Sequence, residues 1–448
     1  MSHTSTAQYD IALASGRQSR FPNTFLQPSL RPVWQDTITW LLLWPMLTLI
    51  ARQVVYFSGP ARDTAAFALG GAHESHVYTY VDFFFLLGFT LACARQTWDV
   101  AIKNKALLGL MCLAVISVLW STAKQTTFQV SIKVWVGSLF ACYLATRFTS
   151  QWLMRFLIFM GVVTALGSIL FAVAIPSYGV FAGYAGGAWQ GITSHKNTLG
   201  LAMAYLLTPI FFVDGIKLNR RILYSLLMLF VLYKSQSKGA YLDTAAMLLF
   251  VGFLYLARRL RISDLMLIIL VSGVLLTATV IIGVLFLEPI TFALGKDPTL
   301  DGRTVIYKLV WQAITKHPWL GYGYTSFWYP GSNESQFISL SLDWPGIGYS
   351  ENGFLELLLA LGFVGLSMLL AMLGKAIVQG SLLMRSTTYT PRIGWFMTIL
   401  FLALMTNIDA GWFLAVDNID WVLIIVACVG LNEEWGKLRT AKATSVFA

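Results

Sequence analysis

Apolar runs recur along this chain from Thr37 to Leu431. Half of them are about 18 residues or longer, enough to cross a bilayer core of about 30 Å. They fall near 37–57, 79–94, 106–121, 128–146, 152–175, 199–213, 222–233, 240–257, 264–287, 353–378, 393–407 and 418–431. Backbone crossing lipid has to satisfy its own hydrogen bonds, which a helix does within one segment. The pattern therefore predicts an all-α polytopic membrane protein of about twelve transmembrane helices. A few runs, notably 222–233, are short for a full crossing.

Charge agrees with this class. Only 12% of residues are charged, against about 25% in a soluble domain, and the mean hydropathy is +0.68. The net charge of +10 does not indicate a nucleic-acid partner, because most Lys and Arg lie in short segments between apolar runs, where they orient a membrane protein. Cys93, Cys112, Cys142 and Cys428 all lie inside apolar runs without paired spacing. They read as small core residues and give neither a disulfide framework nor a metal site. The first 36 residues are polar, and the run Thr37–Ile50 is followed by no small-residue cleavage site, so it reads as a retained first span.

An even number of spans puts both termini on one side. One alternating set of linkers carries Arg17, Arg20 and Arg31; Arg95, Lys103 and Lys105; Lys217, Arg220 and Arg221; Arg258, Arg259 and Arg261; Lys375, Arg385 and Arg392; and Lys437, Arg439 and Lys442. The positive-inside rule makes this set, and with it both termini, cytoplasmic. The opposite set holds 58–78, 122–127, 176–198, 234–239, 288–352 and 408–417, rich in Gly, Trp and Tyr. With no internal repeat, the simplest organisation is a cytoplasmic tail 1–36, a single membrane domain 37–431 and a cytoplasmic tail 432–448. Among the outer segments, 288–352 is long enough to hold structure of its own. Asp301–Lys316 suits an amphipathic helix, with Val305, Leu309 and Ile314 apolar and Lys308 and Gln312 polar. Beyond it, His317-Pro318, Gly321-Tyr322-Gly323-Tyr324 and Trp344-Pro345-Gly346 punctuate irregular, aromatic-rich chain.

Four polar clusters at the outer ends of spans stand out, since charge left near lipid is costly. Ser235-Gln236-Ser237-Lys238-Gly239, with Lys234, makes a donor-rich turn suited to an anion such as phosphate; as a plain connector, its lysines would snorkel to the interface. In Thr299-Leu300-Asp301-Gly302-Arg303-Thr304, Arg303 falls in a first helical turn, where the macrodipole disfavours a cation. It needs a carboxylate such as Asp301 or Asp297, or an anionic ligand, and its planar guanidinium fits a diphosphate. Ser350-Glu351-Asn352 opens the run 353–378, where Glu351 can cap the helix or act as a general base. Thr193-Ser194-His195-Lys196-Asn197 follows the Gly-rich stretch 183–191, with Tyr184 and Trp189. His195 there is a helix cap or, with Lys196 and Asn197, part of a carbohydrate-binding wall. The aromatics Tyr322, Tyr324, Trp328, Tyr329, Trp344 and Tyr349 suit either an interfacial belt or stacking on sugar rings.

Taken in order, these segments resemble a known family. The stretches Thr299–Tyr307, His317–Trp328 and Glu351–Gly365 look like the O-antigen ligase and polymerase superfamily, and most like its exopolysaccharide-production branch. Leu119-Trp120-Ser121 with Thr126 or Thr127, Ser194-His195-Lys196-Asn197 with Leu199-Gly200, and Ser235-x-Ser237-Lys238-x-Ala240 fit in sequence order. The resemblance covers residues 105 to 380.

It implies a GT-C-like glycosyltransferase of the bacterial inner membrane, with both termini in the cytoplasm and its active site facing the periplasm. It implies no cofactor and no metal. The donor would be an undecaprenyl-diphosphate-linked oligosaccharide, and transfer would be inverting. The acceptor would be a second lipid-linked repeat unit or lipid A–core. Membrane lipids and a chain-length regulator are the further implied partners, and nucleic acid is not one. Where the family has a basic residue after the turn serine, an arginine in a Gly-Arg motif and commonly a histidine before the last Asn, this chain has Lys238, Arg303 and Glu351. Lysine for arginine keeps the charge and loses the planar fork. Glutamate for histidine keeps a group that, ionised at neutral pH, can accept a proton. The resemblance makes Glu351, His195 and Arg303 the catalytic candidates, with Glu351 and His195 both open as the base. Lys238, Lys234, Ser237, Lys196, Asn197, Asn352, Tyr322 and Tyr324 would bind substrate. Polymerase is the preferred activity, with O-antigen ligase the alternative. A lipid-linked glycan transporter is a further one, weakened by the missing repeat and by Asp82, Lys133 and Asp243 lying near span ends.

Overall fold

The computed structural model describes residues 37–50, 83–84, 86–91, 94–181, 186–259, 303–329, 332–342, 347–384, 390–409, 413–415 and 419–446. Among these the chain is helical, with one isolated bridge between Val180 and Trp189. The helices are α1 (Thr37–Ile50), α2 (Ala94–Lys103), α3 (Lys105–Ile116), α4 (Lys124–Arg147), α5 (Ser150–Ala174), α6 (Lys196–Leu207) and α7 (Leu218–Ser235). They continue as α8 (Lys238–Arg259), α9 (Arg303–Lys316), α10 (Asn333–Ser341), α11 (Gly353–Met384), α12 (Pro391–Asp409) and α13 (Ile419–Val446). Every expected apolar run that falls on described residues contains helix. The run 264–287 and the tail 1–36 lie outside the described residues.

Among the described residues, five helices are long and apolar enough to cross a membrane: α4, α5, residues 238–257 of α8, α11 and residues 391–408 of α12. A sixth span results if α2 and α3, bent by 99° at Asn104, count as one. Helix α6 falls short for a plain reason: it has 12 residues before it tightens into a 3₁₀ turn at Thr208–Phe211. Arg95 and Lys103, expected in a bare linker, lie on the short helix α2. The expected tail from 432 is an extension of α13 to Val446.

Small residues set the helix contacts, as they must where lipid removes the hydrophobic drive to associate. Gly161 lies against Met228, Gly200 against Ala240, Gly380 against Met397 and Gly430 against Phe396. The Phe250 and Phe401 rings stack at 4.3 Å. The linkers sort into two ends. At one end, Arg392 pairs with Glu434 at 2.7 Å, Gln379 bonds Asn432, and Gln151 bonds Asp214. At the other, Trp189 N–H donates to Lys234 O at 2.8 Å, the Thr122 and Ser326 hydroxyls pair at 2.8 Å, and Asn352 donates to Ile408 O at 2.9 Å. Each of these pairs joins residues that the charge pattern puts in one set.

The described part of the long outer segment has its own small core. Ile306, Val310, Ala313 and Ile314 of α9, Phe327, and Ile338 of α10 bury against Leu358 and Leu359. The inward stripe of α9 is therefore 306, 310 and 313–314, and Val305, expected to face in, is exposed. Helix α10, capped by Ser332 at Ser335 N, occupies chain expected to be irregular.

This segment also repairs a break in α11. Gly362 sits at φ +63°, outside the helical region, and splits that helix in two. The carbonyls freed below it, Leu359 and Ala360, accept from Tyr322 N at 2.8 Å and Gly323 N at 3.0 Å. The amides freed above it, Phe363 and Val364, donate to Pro318 O at 2.8 Å and Trp319 O at 3.1 Å. Non-helical backbone near lipid is tolerated when protein satisfies it in this way. A Cβ at Gly362 would strike the Trp319 backbone, and one at Gly321 would strike the Leu359 carbonyl. Glycine lets the two strands of backbone approach.

Candidate functional site

Two groups of the expected residues form at the outer-loop end. In the first, His195 caps α6: its Nδ1 accepts the Asn197 N–H at 3.2 Å. Its ring meets Phe181 edge-on at 4.8 Å, and the Lys196 ammonium lies 6.0 Å from the same ring centre. Burial, and then the Lys196 charge, push the imidazole down to about 4, so it is neutral at pH 7. With Nδ1 accepting, the proton of the neutral ring sits on Nε2. One turn into α6, Gly200 packs on Ser235, Ser237 and Ala240, which brings the Ser235–Lys238 turn alongside. Ser237 is buried and Lys238, at the start of α8, is exposed. Lys234, half-buried, lies over the Trp189 and Phe230 rings at 5.5 and 5.9 Å, a cation held by aromatic faces.

The second group is built around the broken α11. Asn352, not Glu351, caps it: Asn352 Oδ1 accepts Phe354 N at 3.0 Å and Leu355 N at 3.1 Å. Glu351 just before it stands at φ +58°, a left-handed conformation that a glutamate rarely adopts. Tyr307 O–H donates to the Glu351 carbonyl at 3.3 Å. Arg303 begins α9 one turn ahead of Tyr307, on the same helical face; its side chain, like Asp297, Thr299 and Asp301, lies outside the described residues. Helix α9 therefore meets the Glu351 backbone through Tyr307, one turn beyond its start.

The two tyrosines hold the segment down. Tyr324 is 3% exposed, its N–H bonds Ser117 Oγ at 2.9 Å, its carbonyl accepts Thr127 Oγ1 at 2.8 Å, and its hydroxyl donates to Leu414 O. Tyr322 O–H donates to Ala313 O at 2.9 Å; burial, and then the Glu334 carboxylate, push this phenol up to about 12. The exposed aromatic surface here belongs to Trp319, Tyr329 and Tyr349 instead.

Two features escaped the sequence reading. Glu356, a turn into α11, is 4% exposed and accepts the Trp328 indole N–H and the Ser350 backbone N–H. An ionisable residue inside an apolar helix was the signal available for it. The other is backbone strain. Among the described residues, the non-glycine positive φ values are at Gln236, Thr325, Glu351 and Leu414, one or more in each of three outer loops. Such conformations cost about 1–3 kcal/mol each and concentrate at functional sites. The Trp120 indole N–H and the Thr325 hydroxyl, flanking the Ser121–Gly323 contact, are buried without partners.

Residues 223–370 match the family model described as O-antigen ligase. This supports the superfamily that the motifs resemble, whose members are membrane glycosyltransferase-like ligases and polymerases acting on lipid-linked glycans and lipid A–core. The match takes in Lys234–Lys238, Arg303 and Glu351–Asn352 and leaves out His195–Asn197. No curated protein matches this chain. The match covers about a third of the chain and is to that family model alone, while the apolar helices are those of a membrane protein.

Proposed function

We propose that this chain transfers glycan from an undecaprenyl-diphosphate-linked donor to an acceptor hydroxyl on the periplasmic face of the bacterial inner membrane, as a surface-polysaccharide polymerase. It does so from a GT-C-like arrangement of about twelve spans with both termini in the cytoplasm. The observation that carries the reading is Glu351, held at φ +58° beside the helix that Arg303 begins.

Arg303 and Lys238, with Lys234, hold the diphosphate and offset the charge that builds on it as the glycosidic bond breaks. The acceptor oxygen attacks the anomeric carbon from the opposite side, which inverts it, and Glu351 takes the hydroxyl proton. His195 is the weaker base, because its Nδ1 lone pair already serves Asn197 N–H. It suits donation from Nε2 to a substrate oxygen, as do the unpartnered Trp120 and Thr325 donors. No metal enters this scheme.

The match to a family described as O-antigen ligase favours a second reading, in which the acceptor is lipid A–core. Purified protein given lipid-linked repeat units, with and without lipid A–core, separates the two. Chain growth without lipid A–core supports polymerase, and transfer only when it is added supports ligase. If neither occurs in detergent, the enzyme reading fails and a lipid-linked glycan transporter replaces it.

A further inference from the structure

Beneath the outer loops lies a layer of buried oxygens that the transfer scheme does not use. Two helix pairings fix its level. Along α12 and α13, Arg392 stands opposite Glu434 and Phe396 against Gly430. Carried step for step to the other end, that antiparallel register sets Thr406 level with Asp420. Along α8 and α12, the stacking of Phe250 on Phe401 sets Asp243 and Thr244 level with Ile408 and Asn407. A fourth helix joins them: the Tyr205 hydroxyl of α6 pairs with Thr406 Oγ1 at 3.2 Å, and Asp420 and Asp243 both lie within electrostatic reach of its phenol.

Counting partners leaves two atoms over. Asp420 Oδ1 accepts the Trp421 N–H at 2.6 Å, and Asn407 Nδ2 donates to Ala403 O at 2.8 Å. Asp420 Oδ2 and Asn407 Oδ1 have no hydrogen-bond partner, although both side chains are 0% exposed. With Asp420 ionised both atoms are acceptors, and neither can satisfy the other. A carboxylate or amide oxygen removed from water without a donor is strongly destabilised. The layer therefore lacks positive charge. At this level the four helices carry a carboxylate, an amide oxygen, two hydroxyls and a second carboxylate, oxygen donors of the kind hard cations take. Among the described residues there is no group of three or more His, Cys, Asp or Glu suited to a metal, and mostly neutral oxygens suit a singly charged ion.

We propose that Asp420, Asn407 and Thr406, with Tyr205 and Asp243, bind a small monovalent cation of sodium's size that ties α6, α8, α12 and α13 together. The ion neutralises Asp420 and braces the helices whose outer ends carry His195, Lys238 and the Ile408 carbonyl that Asn352 bonds. Its role is structural, and it takes no part in bond breaking.

Thermal unfolding of the full-length protein in detergent, with sodium chloride exchanged for choline chloride at constant ionic strength, tests the site without any glycan. Sodium is expected to raise the midpoint saturably. Asp420→Asn and Asn407→Ala are each expected to abolish the rise; should the first fail to accumulate, the second carries that arm. Equal midpoints in sodium and choline overturn the proposal, as does a sodium response that survives the substitutions. An Asp420→Asn protein as stable as the parent, with no sodium response in either, identifies a protonated carboxyl in place of the ion and also overturns it. None of these outcomes bears on the transfer reading.

Discussion

The Glu356 carboxylate receives the Trp328 indole N–H on both its oxygens, at 2.9 and 3.1 Å. It also accepts the backbone N–H of Ser350, whose hydroxyl in turn bonds Asn352 O at 3.0 Å. One buried side chain thus fixes the turn that carries Glu351. Glu356→Ala strands two donors, and each buried hydrogen bond to a charged group contributes about 1.5–3 kcal/mol. Thermal unfolding in detergent should therefore show a loss of about 3 kcal/mol or more, and Glu356→Gln, which keeps one acceptor oxygen, a smaller one.

Glu351→Gln tests the base directly. General-base catalysis contributes about 10²–10⁴-fold, so the in vitro transfer rate should fall by that order while donor binding and folding are kept. His195→Gln should lower the rate by less than about tenfold, since the lost group is a donor. Equal losses from the two substitutions would remove the distinction between them.

Arg303→Ala should reduce transfer by about 10²–10³-fold through loss of charge stabilisation at the leaving diphosphate. Arg303→Lys should recover part of that loss, because charge returns without the bidentate fork. Undiminished transfer by Arg303→Ala would refute the clamp.

His195 gives a pH signature. Its folded pKa of about 4 lies below the unfolded value of about 6.5, so the unfolded chain binds the extra proton between these values. Stability from this group is full above about pH 6.5 and falls as the pH drops toward 4, by at most about 3 kcal/mol. Unfolding midpoints across that window should slope for the parent protein and flatten for His195→Asn, which retains a capping side chain.

Gly362→Ala should destabilise the protein by about 1–3 kcal/mol from the positive φ alone, and by more because the new Cβ meets the Trp319 backbone. The same unfolding assay reads it.

Much of the fold was legible because lipid imposes a simple rule on sequence. Runs such as 128–146 and 152–175 had to be helices, and α4 and α5 are there. Pairs such as Arg392 with Glu434 and Thr122 with Ser326 fall within the two linker sets that the charge pattern predicts. Features that depend on a distant partner could not be read. Nothing local to Gly362 announces a break, because the break is stable only where residues 318–323 supply the missing hydrogen bonds. Val305 was placed inside by periodicity, but the surface that α9 packs on, Leu358 and Leu359, selects Ile306 and Val310 instead. The tyrosines of Gly321–Tyr324 suggested a sugar platform because composition does not reveal which way a ring turns. At the candidate site, the motifs located Glu351 and His195, and only the coordinates could add the left-handed backbone of one and the occupied nitrogen of the other.

The four backbone hydrogen bonds across Gly362 have an evolutionary consequence. Exchange of the outer segment between related chains is constrained by this seam. Here that segment is exchangeable only where the incoming loop keeps the same backbone path and a glycine at 321, since otherwise Leu359, Ala360, Phe363 and Val364 lose their partners. Viable chimeras should inherit 318–323 and 359–364 from the same parent, and breakpoints between them should be missing from natural hybrids.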